Sequence, residues 1–347
     1  MSACGSTDEP QFVDTGVKAT LTETIDAYLE TNLKADQPGV SLLVRKNGEL
    51  IYKNAKGLAN KQISRPITGQ TGFRLASISK PFVALAIMQL YEQEKILLED
   101  SILTYLPELP PSWQSITIHH LLTHRSGIPD FINDLHLEET VEDINNQNVV
   151  DYFINNGALE FIPDSQADYS NSGYLLLAEI IERLSGERFE DYMLYNLFLP
   201  NDMSNSYIAD EFSLSLLNDA LNYENSSKLW GLNINTNGSD GQISSIDDMD
   251  KFVQALLNDS IVSAETLNLM RQVYSNLQQG AYGYGWFRGA RFEDSFTAGG
   301  SMDGFNSILI IEPAIELHYI GLSNGGQLTG NHLNNIYALI NRFYHQN

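Results

Sequence analysis

Apolar positions along this chain change their spacing twice. In "TLTETIDAYLETNLKA" they recur at helical intervals behind Thr20 or Thr22, either of which can act as a cap, and predict an amphipathic helix. The following "GVSLLVRKNGELIYKNAKG" holds two β-rich runs around Asn47-Gly48, a strong hairpin signal. In "FRLASISKPFVALAIMQLYEQEK" a few small polar residues give way to an almost unbroken apolar run, which predicts a buried helix. From about 97 to 280 the segments are mostly helices and loops, among them "ITIHHLLTHRSG", "VVDYFINNG", "SGYLLLAEIIERLSG", "FEDYMLYNLFL" and "SIDDMDKFVQALLND". Strand-like runs return in "YGYGWFRG", "SFTAGG", "NSILIIEP" and "IELHYIGLSNGG", and "NHLNNIYALINRFYH" closes the chain as a helix.

Strands at both ends and helices between them predict an α/β (α+β) fold. Both ends join in one antiparallel sheet, flanked by the N- and C-terminal helices, with a large, mostly helical insert. The expected division is a flexible tether at 1–19 and one domain at 20–347. Its α/β part covers about 20–80 and 281–347, its helical part about 81–280. A cleft between the two parts is the natural place for a small-molecule or peptide substrate.

The chain has 347 residues, 43% of them hydrophobic, enough for a large core. Its formal net charge of −24 repels phosphate backbones and anionic lipid surfaces, so nucleic acid is excluded as a partner class. The excess is spread along the chain and reads as a solvated surface. One cysteine, Cys4, leaves no intrachain disulfide. Its setting, "MSACGSTDEPQ", resembles a bacterial lipoprotein cleavage site without the apolar segment that would precede it. The expectation is a lipidated Cys4 and a cell-envelope or periplasmic location. The oligomeric state is open.

Candidate chemistry begins with Ser77 and Lys80. Proline lacks an N–H and is tolerated in the first turn of a helix, so Pro81 puts the helix start near Ser77. Lys80, three residues on, shares a face with Ser77. A helix start favours developing negative charge, and a buried lysine can serve as a base for an attacking serine. Tyr-x-Asn occurs four times, at Tyr52, Tyr169, Tyr223 and Tyr274. Context selects Tyr169 with Asn171, in the polar loop "PDSQADYSNSG" directly before a strongly apolar helix. His119, His120 and His124 lack the glutamate of a zinc-protease helix, so no metal and no other cofactor is expected. Gly325-Gly326 reads as a strand-end turn. The aromatics Tyr284, Trp286 and Phe287 suit a pocket wall or the core equally.

Taken in order, "FRLASISKPF", "ITIHHLLTHRSGIPDF", "DYSNSGYLLLAEIIERLSG", "YGYGW" and "GGSMDGFNS" resemble blocks of the serine β-lactamase and penicillin-binding-protein superfamily. The branch is that of class C β-lactamases, D-aminopeptidases, D-alanyl-D-alanine carboxypeptidase-like proteins and β-lactamase-fold esterases. The resemblance implies that Ser77 forms an acyl-enzyme, that Lys80 takes or relays its proton, and that Tyr169 is the partner base. Asn171 would bind the acyl side of the substrate. Gly299, Gly300 and Ser301 would line the cleft, the Ser301 N–H joining that of Ser77 in an oxyanion hole. Ala298 stands where the family usually has Lys or His, with Arg288 and Arg291 as alternative sources of a cation. The expected activity is therefore hydrolysis of an ester or of a D-amino-acid-containing amide or peptide, ahead of efficient β-lactamase activity. The alternative is a penicillin-binding-like sensor that acylates and turns over little.

Overall fold

Thr20 opens the first helix, Leu21–Asn32, with a reciprocal cap: its hydroxyl accepts from the Glu23 N–H, and its own N–H donates to the Glu23 carboxylate at 2.8 Å. The computed structural model describes residues 20–132, 143–209, 218–224, 227–228, 233–289, 294–302 and 304–345. Cys4 with its expected tether, and Arg291, lie outside these residues.

The hairpin forms where the sequence places it. Strands Val40–Lys46 and Glu49–Lys56 join at Asn47 and Gly48, both at positive φ, 52° and 75°. Val40–Lys46 also pairs with Leu317–Ser323, so the two ends of the chain do share one sheet. In spatial order its eight strands are Ser275–Leu277, Gly280–Tyr282, Phe287–Arg288, Phe296–Met302, Phe305–Glu312, Leu317–Ser323, Val40–Lys46 and Glu49–Lys56. Every pairing is antiparallel. The "YGYGWFRG" run divides into two short strands, and Ser275–Leu277 adds a strand just ahead of it. The closing helix, Gly326–His345, begins directly after the Gly325 turn.

Side-chain alternation gives the sheet two apolar faces. Val40, Leu42 and Val44 pack with Leu21, Ile25, Ile336 and Ile340 of the terminal helices. Leu43, Leu309, Ile311, Ile320 and Leu322 face the larger core. That core contains the helix Ser79–Glu92, buried over almost its whole length. A helix apolar on all sides needs a neighbour on every side. The sheet covers one side, and helices Asn171–Ser185 and Ile246–Leu257 contribute to the others. The start of the buried helix is thereby fixed against the strand Phe296–Met302.

Candidate active site

Ser77 sits in a short 3-10 turn, Ala76–Ile78, between the strand Phe73–Arg74 and the helix Ser79–Glu92. Pro81 is the third residue of that helix, where a missing N–H costs no hydrogen bond. Ala76, directly before Ser77, has φ +50°. A non-glycine residue in this region stores strain and persists only where its surroundings impose it. Those surroundings grip Leu75: its N–H donates to the Gln242 carbonyl at 2.9 Å, and its carbonyl accepts from Ser307 Oγ at 2.7 Å. The turn is held on both sides, with the Ser77 side chain at the mouth of the helix.

Lys80 is 1% exposed. Its ammonium has three N–H donors, and three acceptors surround it: Ser77 Oγ at 3.2 Å, Asn171 Oδ1 at 2.8 Å and the Ser239 carbonyl at 2.9 Å. Asn171 is the first residue of the helix Asn171–Ser185. Its orientation is set by Asp130, whose Oδ2 accepts from the Asn171 backbone N–H at 2.6 Å and from Nδ2 at 2.8 Å. With its NH2 turned to Asp130, Asn171 must present its oxygen to Lys80.

Tyr169 lies two residues before that helix, with Lys80 Nζ 4.9 Å from its ring centroid. Phe287 runs parallel to its ring, centroids 6.5 Å apart, and the His124 ring lies closer, at 4.5 Å. The other Tyr-x-Asn tyrosines serve elsewhere. Tyr52 donates to Asp26, the Tyr223 hydroxyl accepts from the Lys61 N–H, and Tyr274 stacks on Tyr284. The "GYGWF" aromatics divide: Tyr284 and Trp286 are buried in the core, while Phe287 reaches Tyr169.

Gly300 brings the strand Phe296–Met302 against the Ser77 turn. A Cβ there would lie 2.1 Å from the Leu75 carbonyl oxygen and 3.0 Å from the Ser77 nitrogen. Only glycine permits that approach. Ser301 follows, its Oγ accepting from Asn306 Nδ2 at 2.9 Å, and Gly299 precedes it on the exposed side of the strand. Ala298 is 6% exposed within the core. Arg288 Nη1 donates to the Arg271 carbonyl at 2.5 Å, beside Asp294 and Gln272.

The sequence pattern gives neither Asp130 nor His124 a place in the site. It misses the Ser239 carbonyl altogether. An aspartate five residues after Arg125 carries no distinctive spacing, and a carbonyl carries no side-chain signal at all. The three histidines have separate places. His119 Nδ1 pairs with the Tyr284 hydroxyl at 2.7 Å, and His120 Nδ1 accepts from the Thr117 N–H at 3.2 Å as part of a helix cap. His124 is buried beside Tyr169, and burial together with the nearby Lys80 charge holds its imidazole well below the usual histidine range.

This fold, with a serine and a lysine meeting at the mouth of a buried helix, defines a class. The β-lactamase family model matches residues 21–341, and the chain belongs to that family of serine hydrolases. A penicillin-binding protein of Bacillus subtilis is 31% identical over 286 residues, 76% of this chain and 62% of that protein. Esterase EstB of Burkholderia gladioli is 39% identical over 116 residues, 32% of this chain and 30% of the esterase. The chain thus spans less than two thirds of the length of either relative. The D-amino acid amidase of Ochrobactrum anthropi shares the fold: its TM-score is 0.78 at 24% identity, covering 93% of this chain and 97% of the amidase.

Proposed function

We propose that this chain is a serine hydrolase that forms an acyl-enzyme on Ser77 and acts on an ester or a D-amino-acid-containing amide or peptide. The observation that carries the proposal is the contact of Lys80 Nζ with Ser77 Oγ at 3.2 Å, inside a site where Asn171 and Ser239 fix the lysine.

Ser77 Oγ attacks the substrate carbonyl carbon, and its proton passes to the Lys80–Tyr169 pair. Lys80 Nζ lies beside the Tyr169 ring, so the two side chains act on that proton as neighbours. The oxyanion forms between the N–H groups of Ser77 and Ser301, which the close approach at Gly300 supports. Tyr169 returns the proton to the departing oxygen or nitrogen. Asn171 binds the acyl side, with Gly299 and Gly300 along the cleft edge. Water then attacks the acyl carbon, passing a proton to the Lys80–Tyr169 pair, and as the bond to Ser77 Oγ breaks the pair returns that proton to the oxygen.

The substrate class follows from Ala298. A neutral side chain packed into the core offers no partner for a substrate carboxylate, and Arg288 is turned to the Arg271 carbonyl. A charge-assisted contact to a carboxylate is worth about 1.5–3 kcal/mol. Its loss weighs against β-lactams and does not weigh against a simple ester or an amide. The esterase and amidase relatives support the same choice. A lipid on Cys4, and with it a cell-envelope location, belongs to this proposal and is tested by the mass of the N-terminal peptide from native cells.

The test is steady-state hydrolysis of p-nitrophenyl butyrate by wild type and by Ser77→Ala. Turnover that disappears in the variant is the expected result. A single stoichiometric burst without turnover would mark a slow acyl-binding protein instead. Equal rates in the two proteins would remove Ser77 as the nucleophile.

A further inference from the structure

His124 holds Tyr169 at three points. The His124 carbonyl accepts from the N–H of Asp168, the residue before Tyr169, at 3.0 Å. Its Nδ1 accepts from the N–H of Ser170, the residue after, at 3.1 Å. Between these two anchors its ring lies over the Tyr169 ring, centroids 4.5 Å apart and planes inclined by 31°. One residue thus fixes the backbone on either side of Tyr169 and one face of its ring.

The backbone of His124 is itself unusual, at φ +58°. It is the residue at which the helix Ile118–Leu122 unwinds in a left-handed turn, its N–H donating to the Leu121 carbonyl at 3.4 Å and the Arg125 N–H to the His120 carbonyl at 2.9 Å. Here the placement lets the carbonyl and Nδ1 of one residue reach two amides two positions apart. The Ser170 N–H is one of the free donors ahead of the helix Asn171–Ser185, so accepting it also anchors that helix start.

The ring's surroundings are specific too. Besides Tyr169, the rings of Tyr174 and Tyr282 lie at 5.2 Å and 4.7 Å, and Lys80 Nζ lies 5.7 Å from the Tyr174 centroid. Because Nδ1 accepts, the proton of the neutral ring is on Nε2, which is buried without a hydrogen-bond partner among the described residues. The titratable groups facing the imidazole are therefore Lys80, Tyr169, Tyr174 and Tyr282. Burial pushes both Tyr174 and Tyr282 up from the ordinary tyrosine range. A neutral ring adds no second positive charge beside Lys80, so it can support Tyr169 without competing for it.

We infer that His124 is a positioning residue for Tyr169, holding its ring beside Lys80 Nζ so that the pair can take the Ser77 proton and return it to the leaving group. This inference rests on the hydrolase reading above.

The test separates the ring from the hydrogen bond. His124→Asn tolerates the positive φ and keeps an oxygen that can accept from the Ser170 N–H, but has no ring. His124→Phe keeps a ring and loses the acceptor. Both are assayed with p-nitrophenyl butyrate, alone and combined with Tyr169→Phe, beside wild type and Ser77→Ala. The expected result is a fall in kcat of about a hundredfold for His124→Asn, since misplacing a reacting group by about an ångström costs that much. KM should change little, and the alkaline limb of the pH–rate profile should move. In the Tyr169→Phe background the same substitution should cost less than about twofold, because its effect passes through Tyr169. An equal loss in both backgrounds, or a wild-type kcat and pH profile, would overturn the inference. So would failure of both His124 variants to fold, which would leave the residue a structural role alone. If Ser77→Ala turns over like wild type, the hydrolase reading fails whatever the His124 variants do. If Ser77 and Tyr169 are needed and His124 is not, only the positioning role falls.

Discussion

Asp130 grips Asn171 twice through one oxygen, accepting from its backbone N–H at 2.6 Å and from its side-chain NH2 at 2.8 Å. This decides which end of the amide meets Lys80. Asp130 is 5% exposed, so water is a poor substitute for either bond. Asp130→Asn would put an NH2 group in competition with those donors and free the Asn171 amide to turn its own NH2 toward Lys80. The expected outcome is a loss in kcat of about ten- to a hundredfold. Unpairing a buried polar group adds about 1–3 kcal/mol of lost stability. Hydrolysis kinetics and thermal unfolding of the variant check both. A variant with wild-type kcat would show that Asn171 keeps its orientation without Asp130.

Gly300 offers a sharper steric test. Any side chain there meets the Leu75 carbonyl oxygen, a backbone atom locked by Ser307. Gly300→Ala must move the strand away from the Ser77 turn. The variant should fold, at a cost of about 1–3 kcal/mol for overpacking. It should also lose about a hundredfold or more in kcat, the usual effect of removing one oxyanion donor. Gly299→Ala is the control: its Cβ would meet only the Ser307 carbonyl oxygen, at an ordinary 3.8 Å. Equal activity in the two variants would remove the close approach from the mechanism.

Glu182 gives a pH signature away from the site. Burial, then the neighbouring Glu179 and Glu190 carboxylates, push its carboxyl up to about 7. In the unfolded chain it titrates near the model-peptide value of about 4.3. The folded state therefore keeps the proton longer than the unfolded state. The resulting contribution is fully present below about pH 4.3 and is lost as pH rises through about 7. Glu182→Gln should match wild type in thermal unfolding at pH 4, and be the more stable protein at pH 8. A constant difference between the two across that range would show that Glu182 is not raised. Because the carboxyl remains partly exposed, the difference should be modest.

Much of this architecture is legible in the sequence alone. A threonine cap at Thr20 or Thr22, of which the fold uses Thr20, the Asn47-Gly48 hairpin and the apolar helix after Pro81 each follow from local rules acting over a few residues. The pairing of Ser77 with Lys80 was legible for the same reason, since three residues on a helix start bring two side chains to one face. Tyr169 could be singled out because an apolar helix follows it and follows none of the other three tyrosines so closely. The division of "GYGWF" into core and site residues was not legible. Alternation assigns a side chain to a face of the sheet, but only packing says what meets that face.

By itself, then, the sequence determined the local placements: a serine and a lysine at the mouth of a buried helix, and a tyrosine and an asparagine at the start of another. Tertiary structure decided how the two become one site. Asn171 reaches Lys80 from 91 positions away, and the Ser239 carbonyl from 159. The close approach of Gly300 to Leu75 and Ser77 joins two segments more than two hundred residues apart. Two of these contacts use backbone atoms, the Ser239 carbonyl and the Leu75 carbonyl and Ser77 nitrogen that face Gly300. A carbonyl or an N–H is the same at every position of a sequence, so it becomes a catalytic feature only when the fold aims it.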